Sequence, residues 1–180
     1  MNDATPHEVR GYRSEDHEFL RDMSYEAAFW RPGAPRPPRD EALSSPDLAR
    51  YIEDWGRPGD AAVVAVDWAS GEGVGAAWYR LLTEDAPGYG FVAPGVPELG
   101  MGVAEAFRGR GVGGALLGAL MERARAEGFG ALSLSVEDGN DPAARLYERH
   151  GFEKLFRVGD AWTMKAELAG SRGTNPPRAS

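Results

Sequence analysis

Apolar and polar positions along the chain recur with two periods, and each period predicts one kind of element. Alternation or a short apolar run predicts strands at 7–13, 61–68, 73–82, 98–103, 131–136, 152–158 and 161–168. Apolar residues three and four positions apart predict helices at 14–30, 47–56, 112–127 and 141–150. The order is β-α-α-β-β-β-α-β-α-β-β, with one strand–helix–strand crossover over 98–136. The predicted class is α+β (mixed α/β) with a mostly antiparallel sheet.

Three segments lack such a period. The stretch "RPGAPRPPRDEALSSPD" (31–47) is too rich in proline for a helix until about Asp40 or Asp47, so we predict a loop there. A second loop covers 83–97. The last residues are polar and rich in glycine, proline and serine, which predicts a flexible tail at 170–180 behind a single domain at 1–169.

The predicted strand "ELGMGV" (98–103) has glycine at every second position. Leu99, Met101 and Val103 share one face, and Gly100 and Gly102 lie between them. A glycine inside a strand indicates a bulge or the close approach of another backbone or a ligand. An edge strand that its glycines merely weaken is an equal alternative from this stretch alone.

Composition excludes several function classes. A net charge of −8 and a pI near 4.9 argue against a nucleic-acid partner, because a protein that binds nucleic acid presents a basic surface to it. The absence of cysteine excludes disulfides, thiolate metal sites and a cysteine nucleophile, and the three histidines have no metal-ligand spacing. We find no apolar run long enough for a membrane span and no secretory signal, so we expect a cytoplasmic protein without a metal.

The stretch "FRGRGVGGALL" (107–117) concentrates glycine and arginine ahead of an apolar run, and three phosphate-binding interpretations compete for it. A P-loop fails because neither lysine nor a hydroxyl follows Gly113 and Gly114. A dinucleotide fingerprint fits Gly109, Gly111 and Gly114 literally. However, the preceding strand ends five residues too early, and too little chain follows for a doubly wound sheet.

The third interpretation is R-x-x-G-x-G, formed by Arg108, Gly111 and Gly113 at the start of a helix. Backbone N–H groups at a helix N-terminus bind a pyrophosphate, glycines allow its approach and arginines neutralise it. Taken alone, the loop fits an ordinary glycine-rich turn equally well.

The order of motifs resembles the GNAT superfamily of acyl-CoA-dependent N-acyltransferases. "PELGMGVAEAF", "RGRGVGGALL", "LSLSV" and "NDPAARLYERHGF" follow one another as in that family, and the resemblance covers about residues 60–168. It implies a central, mostly antiparallel splayed sheet flanked by helices. It also implies an acetyltransferase with acetyl-CoA as donor and a small-molecule amine or a protein amino group as acceptor. A homodimer is left open.

The resemblance further implies which residues bind the donor. The pyrophosphate would contact the amides from Arg108 through Gly114, and the pantetheine arm would pair with the backbone of Met101 and Val103. Asn140 would contact the arm or hold its loop, although a turn residue beside an Asp141 cap is the alternative. The candidate donor-binding residues are Met101, Val103, Arg108, Gly109, Arg110, Gly111, Val112, Gly113, Gly114 and Asn140.

Two residues are candidates for catalysis under the same resemblance. Tyr147 would protonate the departing thiolate, because a phenol stays protonated at neutral pH, with a packed core tyrosine as the alternative. Glu98 would remove a proton from the amine, with a structural or substrate-orienting carboxylate as the alternative. Without cysteine we expect direct transfer in a ternary complex. A non-catalytic acyl-CoA-binding or sensor module remains the rival function.

Acceptor specificity would come from segments outside these motifs. We expect the loops 31–47 and 83–97 and the aromatic residues Tyr25, Trp30 and Trp55 to contribute. Trp78 and Tyr79 occupy adjacent strand positions and point to opposite faces, so only one of them can line a cleft.

Overall fold

The computed structural model describes residues 7–168, and the predicted tail at 170–180 lies outside them. The elements are β1 (His7–Gly11), α1 (His17–Ala28), α2 (Arg39–Ser44), α3 (Pro46–Ile52), β2 (Ala61–Asp67), β3 (Gly73–Arg80), β4 (Glu98–Val103), α4 (Val112–Ala126), β5 (Ala131–Glu137), α5 (Asp141–Arg149), β6 (Glu153–Val158) and β7 (Ala161–Glu167). The strands form one sheet in the order β1-β2-β3-β4-β5-β7-β6. Every neighbouring pair is antiparallel except β4 and β5, which confirms the predicted α+β class.

The sheet opens between β4 and β5. These strands pair in register only at Glu98 and Ser133, with a further hydrogen bond of 3.0 Å from the Ser133 amide to the Pro97 carbonyl. On its other side β4 stays paired with β3 along its whole length, as far as Val103 opposite Gly75. The two halves of the sheet therefore diverge beyond Glu98, as the predicted splay requires.

Helices cover both faces of the sheet and bury two apolar clusters. On one face α4 packs through Leu116, Leu117 and Leu120, which are fully buried, and α5 lies beside it. On the other face α1, α2 and α3 bury Leu20, Leu43 and Ile52. The i, i+4 apolar stripe predicted for α4 therefore faces the sheet, and the cleft lies where the two layers meet the open strands.

The glycines of β4 allow two close approaches. A Cβ atom on Gly102 would lie 2.3 Å from the backbone oxygen of Met23 in α1, so the helix rests directly on the strand. A Cβ atom on Gly100 would lie 2.7 Å from the ring of Trp78, which stacks beneath the strand. The structure thus supports the close approach of another backbone rather than a merely weakened edge strand.

The start of α2 at Arg39 agrees with the earlier of the two limits predicted for the proline-rich loop, about Asp40, whereas the predicted end of the next helix is wrong. The proline-rich stretch 31–47 contains α2, and α3 begins at Pro46 after the extended residue Ser45, since a residue before proline avoids the helical region. The helix predicted to run to Gly56 ends at Ile52, because Glu53 is extended and Asp54 has φ of 49°.

A buried ion pair fixes the segment that follows α3. The Arg80 guanidinium donates hydrogen bonds of 2.9 and 2.7 Å to the two Asp60 carboxylate oxygens, and both side chains are 1% exposed. The same guanidinium donates to the backbone carbonyls of Arg50 and Glu53. Since these carbonyls are at the C-terminal end of α3, the ion pair anchors this helix against β3 and so fixes its position beside the cleft.

Candidate active site

The open strands lead into a cleft of about 1750 Å³ between the two helical layers. We call the side formed by α4, α5 and the loop 107–111, where the sequence predicts donor binding, the donor side. We call the side formed by α1 with the segment after it, α2, α3, the loop 88–90 and the end of β5 the acceptor side. Catalytic candidates from both sequence motifs, Glu98 and Tyr147, line this one cleft. Residues far apart along the chain therefore share a single space.

The N-terminus of α4 faces the donor side of the cleft. Gly109 and Gly111 adopt left-handed φ angles of 72° and 84°, and a Cβ atom on either would meet no atom within 4 Å. The loop therefore leaves open space in front of the first amides of the helix, where the helix dipole favours an anion. Gly113 and Gly114 also line the cleft, while the side chain of Val112 is buried in the core.

The two loop arginines make different contacts. The Arg108 guanidinium donates a hydrogen bond of 3.0 Å to the Val103 carbonyl and one of 3.1 Å to a carboxylate oxygen of Glu26 in α1. The Arg110 guanidinium lies 5.7 Å from the centre of the Phe107 ring and is not part of the cleft lining. Arg108 therefore lies at the edge of the donor side, held by a residue of the acceptor side.

The free edge of β4 presents backbone groups to the gap. The Ala104 amide bonds to Val74 of β3, and in an antiparallel pair alternate residues bond to the same neighbour. Gly100 and Gly102 therefore bond to β3, whereas Met101 and Val103 direct their amides and carbonyls toward the gap. The Val103 carbonyl accepts the hydrogen bond from Arg108 described above.

Tyr147 contributes a buried phenol to the cleft. Its side chain is 7% exposed and packs edge-on against Phe152, with ring centres 5.8 Å apart. Burial raises the pKa of its phenol to about 12, because the charged phenolate is disfavoured away from water. The hydroxyl is accordingly protonated across the neutral pH range and able to donate.

Glu98 lies at the base of the gap and is 3% exposed. Its Oε1 atom accepts hydrogen bonds of 2.8 Å from the Tyr51 hydroxyl and from the Gly90 amide. Its Oε2 atom has no hydrogen-bond partner among the described residues. Burial raises the pKa of this carboxyl, while the bonds from Gly90 and Tyr51 oppose the rise. Such a carboxylate is a stronger proton acceptor than an exposed one.

Tyr51 connects Glu98 to the loop 88–90. Its hydroxyl donates to Glu98 and accepts a hydrogen bond of 2.8 Å from the Tyr89 amide. Burial and the Glu98 charge raise the pKa of the Tyr51 phenol well above its usual range, so it acts as a donor. A Cβ atom on Gly88 would lie 2.1 Å from Glu98 Oε2, so this loop packs directly over the carboxylate.

The segment that follows α1 reaches across the gap to the end of β5. The Trp30 indole N–H donates a hydrogen bond of 3.0 Å to Glu137, and Arg31 donates one of 3.1 Å to the Asp138 carbonyl. Asn140 follows at the cap position of α5 and lines the cleft, and its side chain makes no capping hydrogen bond. The cap is therefore Asn140 rather than the predicted Asp141, which is the first residue of the helix.

Residues 22–152, more than half of the chain, match the family model described as "Acetyltransferase (GNAT) family". The chain belongs to the GNAT acetyltransferase family. The family resemblance predicted from the motif order is thereby confirmed, and with it the splayed fold.

Curated relatives of this GNAT chain are acetyltransferases. A mycothiol acetyltransferase of Corynebacterium aurimucosum is 43% identical over 75 residues, which is 42% of this chain and 23% of that protein. An L-methionine sulfoximine/L-methionine sulfone acetyltransferase of Pseudomonas aeruginosa is 40% identical over 110 residues, 59% of this chain and 60% of that protein. The match thus spans less than two thirds of the length of either relative.

Solved structures share the fold at lower identity. A phosphinothricin acetyltransferase from Sinorhizobium meliloti, in complex with AcCoA, has a TM-score of 0.65 at 20% identity, with 96% of this chain and 94% of that chain covered. The GNAT domain of S. lividans PAT has a TM-score of 0.65 at 21% identity, with 89% of each chain covered. These likenesses support the GNAT fold and leave the substrate to be argued from the cleft.

The aromatic residues expected to line the cleft of this family member are only partly there. Trp30 and Trp78 line it, whereas Tyr79 lies on the opposite face and donates to Glu127, as the strand alternation predicts. Trp55 and Tyr25 are not among the residues that line the cleft, and their contribution to acceptor specificity stays a prediction. Trp55 follows the early end of α3 and packs against Tyr12 and Arg80, and Tyr25 donates a hydrogen bond to the carbonyl of Pro37, which does line the cleft.

Sequence reasoning missed Tyr51 and Glu26. Tyr51 and Trp55 are four positions apart and would share one face of the predicted helix, but α3 ends at Ile52 and, of the two, Tyr51 lines the cleft. Nothing in the local sequence marks Glu26, since its partners Arg36 and Arg108 are far away along the chain.

Two further properties of the described residues bear on the site. Between residues 7 and 168 no helix has both the length and the apolar character needed to cross a membrane. The same residues contain no group of three or more histidine, aspartate or glutamate side chains arranged to hold a metal ion.

Proposed function

We propose that the chain transfers an acetyl or another short acyl group from acetyl-CoA directly to a primary amine. The observation that carries this proposal is the arrangement of one cleft. A glycine-lined helix N-terminus, a protonated buried phenol at Tyr147 and a buried carboxylate at Glu98 all border the gap between β4 and β5.

The donor side fits a CoA pyrophosphate. The open space at Gly109 and Gly111 admits phosphate oxygens to the amides at the start of α4, and Arg108 supplies positive charge at its edge. Pantetheine would pair with the free backbone groups of Met101 and Val103, as a strand pairs with a sheet edge. Acetyl-CoA supplies the thioester that the amine attacks.

Glu98 and Tyr147 would move the protons of this reaction. Glu98 would accept a proton from the amine, directly or through water, as the new carbon–nitrogen bond forms. Tyr147 would donate its phenol proton to the sulfur as the carbon–sulfur bond breaks. The chain contains no cysteine, so no cysteinyl acyl-enzyme forms, and attack within a ternary complex accounts for the transfer.

The acceptor side favours an amine by its charge and its aromatic surface. The carboxylates of Glu41, Asp47 and Glu137 line the cleft together with Glu98. The rings of Trp30, Trp78 and Tyr89 line it as well. Carboxylates attract an ammonium group, and aromatic faces bind cations and apolar groups alike. The names of the relatives, mycothiol acetyltransferase and L-methionine sulfoximine/L-methionine sulfone acetyltransferase, refer to small molecules and so support a small-molecule acceptor.

The experiment is an activity screen that measures free thiol. Acetyl-CoA is mixed with the protein and with polyamines, aminoglycosides, peptide N-termini or L-methionine sulfone, and Tyr147→Phe serves as the control variant. We expect thiol release with at least one amine, and much slower release by the variant.

A parallel calorimetric titration with CoA separates the rival function. Binding of CoA without thiol release for any amine would favour a non-catalytic acyl-CoA sensor. Binding of NAD(P) that CoA does not displace would overturn both.

Assembly into a homodimer stays a prediction. The edge strand β6 exposes Leu155, Phe156 and Val158, each at 44% or more of its surface. Exposed apolar side chains on a sheet edge are typical of a contact surface. Sedimentation of the protein measures the assembly directly.

A further inference from the structure

One carboxylate of the acceptor side contacts the donor-binding loop. Glu26, near the C-terminal end of α1, accepts a hydrogen bond of 2.6 Å from Arg36 at Oε1 and one of 3.1 Å from Arg108 at Oε2. Arg36 in turn stacks on the ring of Tyr25, with 4.7 Å between the guanidinium and the ring centre. Glu26 therefore links the proline-rich segment to the loop in front of α4.

The position of Glu26 is fixed by the packing of its helix. Met23, one turn earlier, places its backbone against Gly102 of β4, where no Cβ atom would fit. Glu26 consequently lies beside the C-terminal end of β4, and its side chain is only 23% exposed. Its two hydrogen bonds and the packing of α1 therefore hold the Glu26 side chain next to the loop.

The Arg108 side chain contacts a backbone group that bound CoA would need. One of its hydrogen bonds occupies the Val103 carbonyl, which is among the backbone groups free to pair with a pantetheine arm. The other neutralises the guanidinium against Glu26 instead of against a phosphate. The side chains of Arg108 and Glu26 are 38% and 23% exposed, so water screens the pair and the guanidinium is able to exchange partners.

We propose that Glu26 is a positioning residue that competes with the CoA pyrophosphate for Arg108. When phosphate oxygens take the guanidinium, the Val103 carbonyl is uncovered and Glu26 remains held by Arg36. This inference rests on the proposed function, because it assumes that CoA binds at the loop before α4. It adds that the acceptor-side helix α1 sets the affinity for the donor.

The test is calorimetric titration of CoA into the full chain and into Glu26→Gln. The variant removes the competing charge and leaves Arg108 free for phosphate, so we expect the Kd for CoA to fall about two- to fivefold, the range that an exposed ion pair supports. A merely structural role predicts the reverse: a lower Tm and unchanged or weaker binding.

Two further variants make the result specific. Glu18→Gln removes the same charge from α1, where Glu18 pairs with Arg21 and Arg39 away from the loop, and should leave the Kd unchanged. In an Arg108→Ala background, Glu26→Gln should lose its effect, because the residue for which Glu26 competes is absent. An equal gain in CoA affinity in that background would mean that Glu26 acts by repelling the phosphates directly, and not by competing for Arg108.

The outcomes separate this inference from the proposed function. If the unaltered chain binds no CoA, both fail together. If it binds CoA and Glu26→Gln binds no more tightly, only the role of Glu26 is overturned. Dephospho-CoA keeps the pyrophosphate, so its affinity should rise in Glu26→Gln by the same factor as the affinity for CoA. A gain confined to CoA would place the competition at its 3′-phosphate instead.

Discussion

The two sides of the cleft are built in different ways. The pyrophosphate-binding part of the donor side comes from nearly continuous chain, since Met101, Val103, Arg108 and the glycines before α4 lie within fourteen positions of one another. The acceptor side is assembled across long separations: Tyr51 bonds to Glu98 47 residues away, and Trp30 bonds to Glu137 107 residues away. A local motif therefore encodes donor binding, whereas acceptor geometry depends on how whole layers pack.

This difference predicts which property of the protein a substitution on each side should change. A change on the donor side should alter CoA affinity or the chemical step and leave the fold intact, because its contacts are local and exposed. A change on the acceptor side should alter the packing of α1 or α3 first and amine binding as a consequence. Glu26 is the exception, since it belongs to one side and contacts the other.

The largest effect is expected from Tyr147→Phe. The variant keeps the ring and removes the proton donor, so we expect kcat to fall about 100-fold or more while the Kd for CoA stays unchanged. Thiol release and calorimetry measure the two quantities. Tyr79→Phe is the matched control, because this buried tyrosine bonds to Glu127 outside the cleft and should cost only stability.

The pH dependence of kcat in the unaltered chain also tests Tyr147 as the proton donor. A group with a pKa of about 12 loses its proton only at strongly alkaline pH, so Tyr147 should produce no fall in kcat below about pH 10. Its contribution to stability is fully present below the ordinary phenol pKa of about 10 and is lost as the pH rises toward 12. If Tyr147→Phe retains the full kcat, Tyr147 is not the proton donor of the reaction.

The second effect is on donor affinity. Arg108→Ala combined with Arg110→Ala should raise the Kd for CoA about tenfold or more, since hydrogen bonds between charged groups are the stronger kind. Both side chains are on the exposed loop, so the Tm should change little. Arg123→Ala with Arg125→Ala removes the same charge from the other end of α4 and serves as control. A large fall in Tm with unchanged CoA binding would make the loop structural.

A third change tests the acceptor side through packing. A Cβ atom on Gly102 would collide with the Met23 carbonyl, so Gly102→Ala should displace α1 and cost about 1–3 kcal/mol of the free energy of unfolding. We expect the KM for the amine to rise more than the Kd for CoA. Gly118→Ala, in α4 with nothing within 4 Å of its Cβ position, should be neutral or slightly stabilising. Equal stability losses in both variants would contradict the close contact.

The smallest effect concerns the titration of Glu98. The hydrogen bond from Tyr51 lowers the pKa of Glu98 against the larger effect of burial, so Tyr51→Phe should raise that pKa further. Because the base acts when ionised, the acidic limb of kcat/KM should move to higher pH in this variant and disappear in Glu98→Gln. If the acidic limb of kcat/KM survives in Glu98→Gln, it reflects the titration of the amine, and Glu98 is not the base.

Much of the fold was predictable because its signals are local. The alternation in β5, the apolar stripe of α4 and the glycine before it each specify an element from adjacent residues, and β4 was predicted with its observed bounds. The incorrect end of the second predicted helix falls where a tertiary contact overrides propensity. The segment after Ile52 turns away because Arg80 and Asp60 hold it, and no local pattern reveals a buried ion pair formed twenty residues apart.

The sequence by itself determined the family, the helix N-terminus that faces the donor side and the candidate roles of Tyr147 and Glu98, because these reside in short motifs with fixed spacing. Only the tertiary structure decided that Tyr51 rather than Trp55 reaches the cleft and that Glu98 is buried with one oxygen unpartnered. It alone placed Glu26 against Arg108. The physical reason is that burial and charge pairing depend on which distant segments meet, and for Glu26 the packing of α1 on Gly102 of β4 decides this.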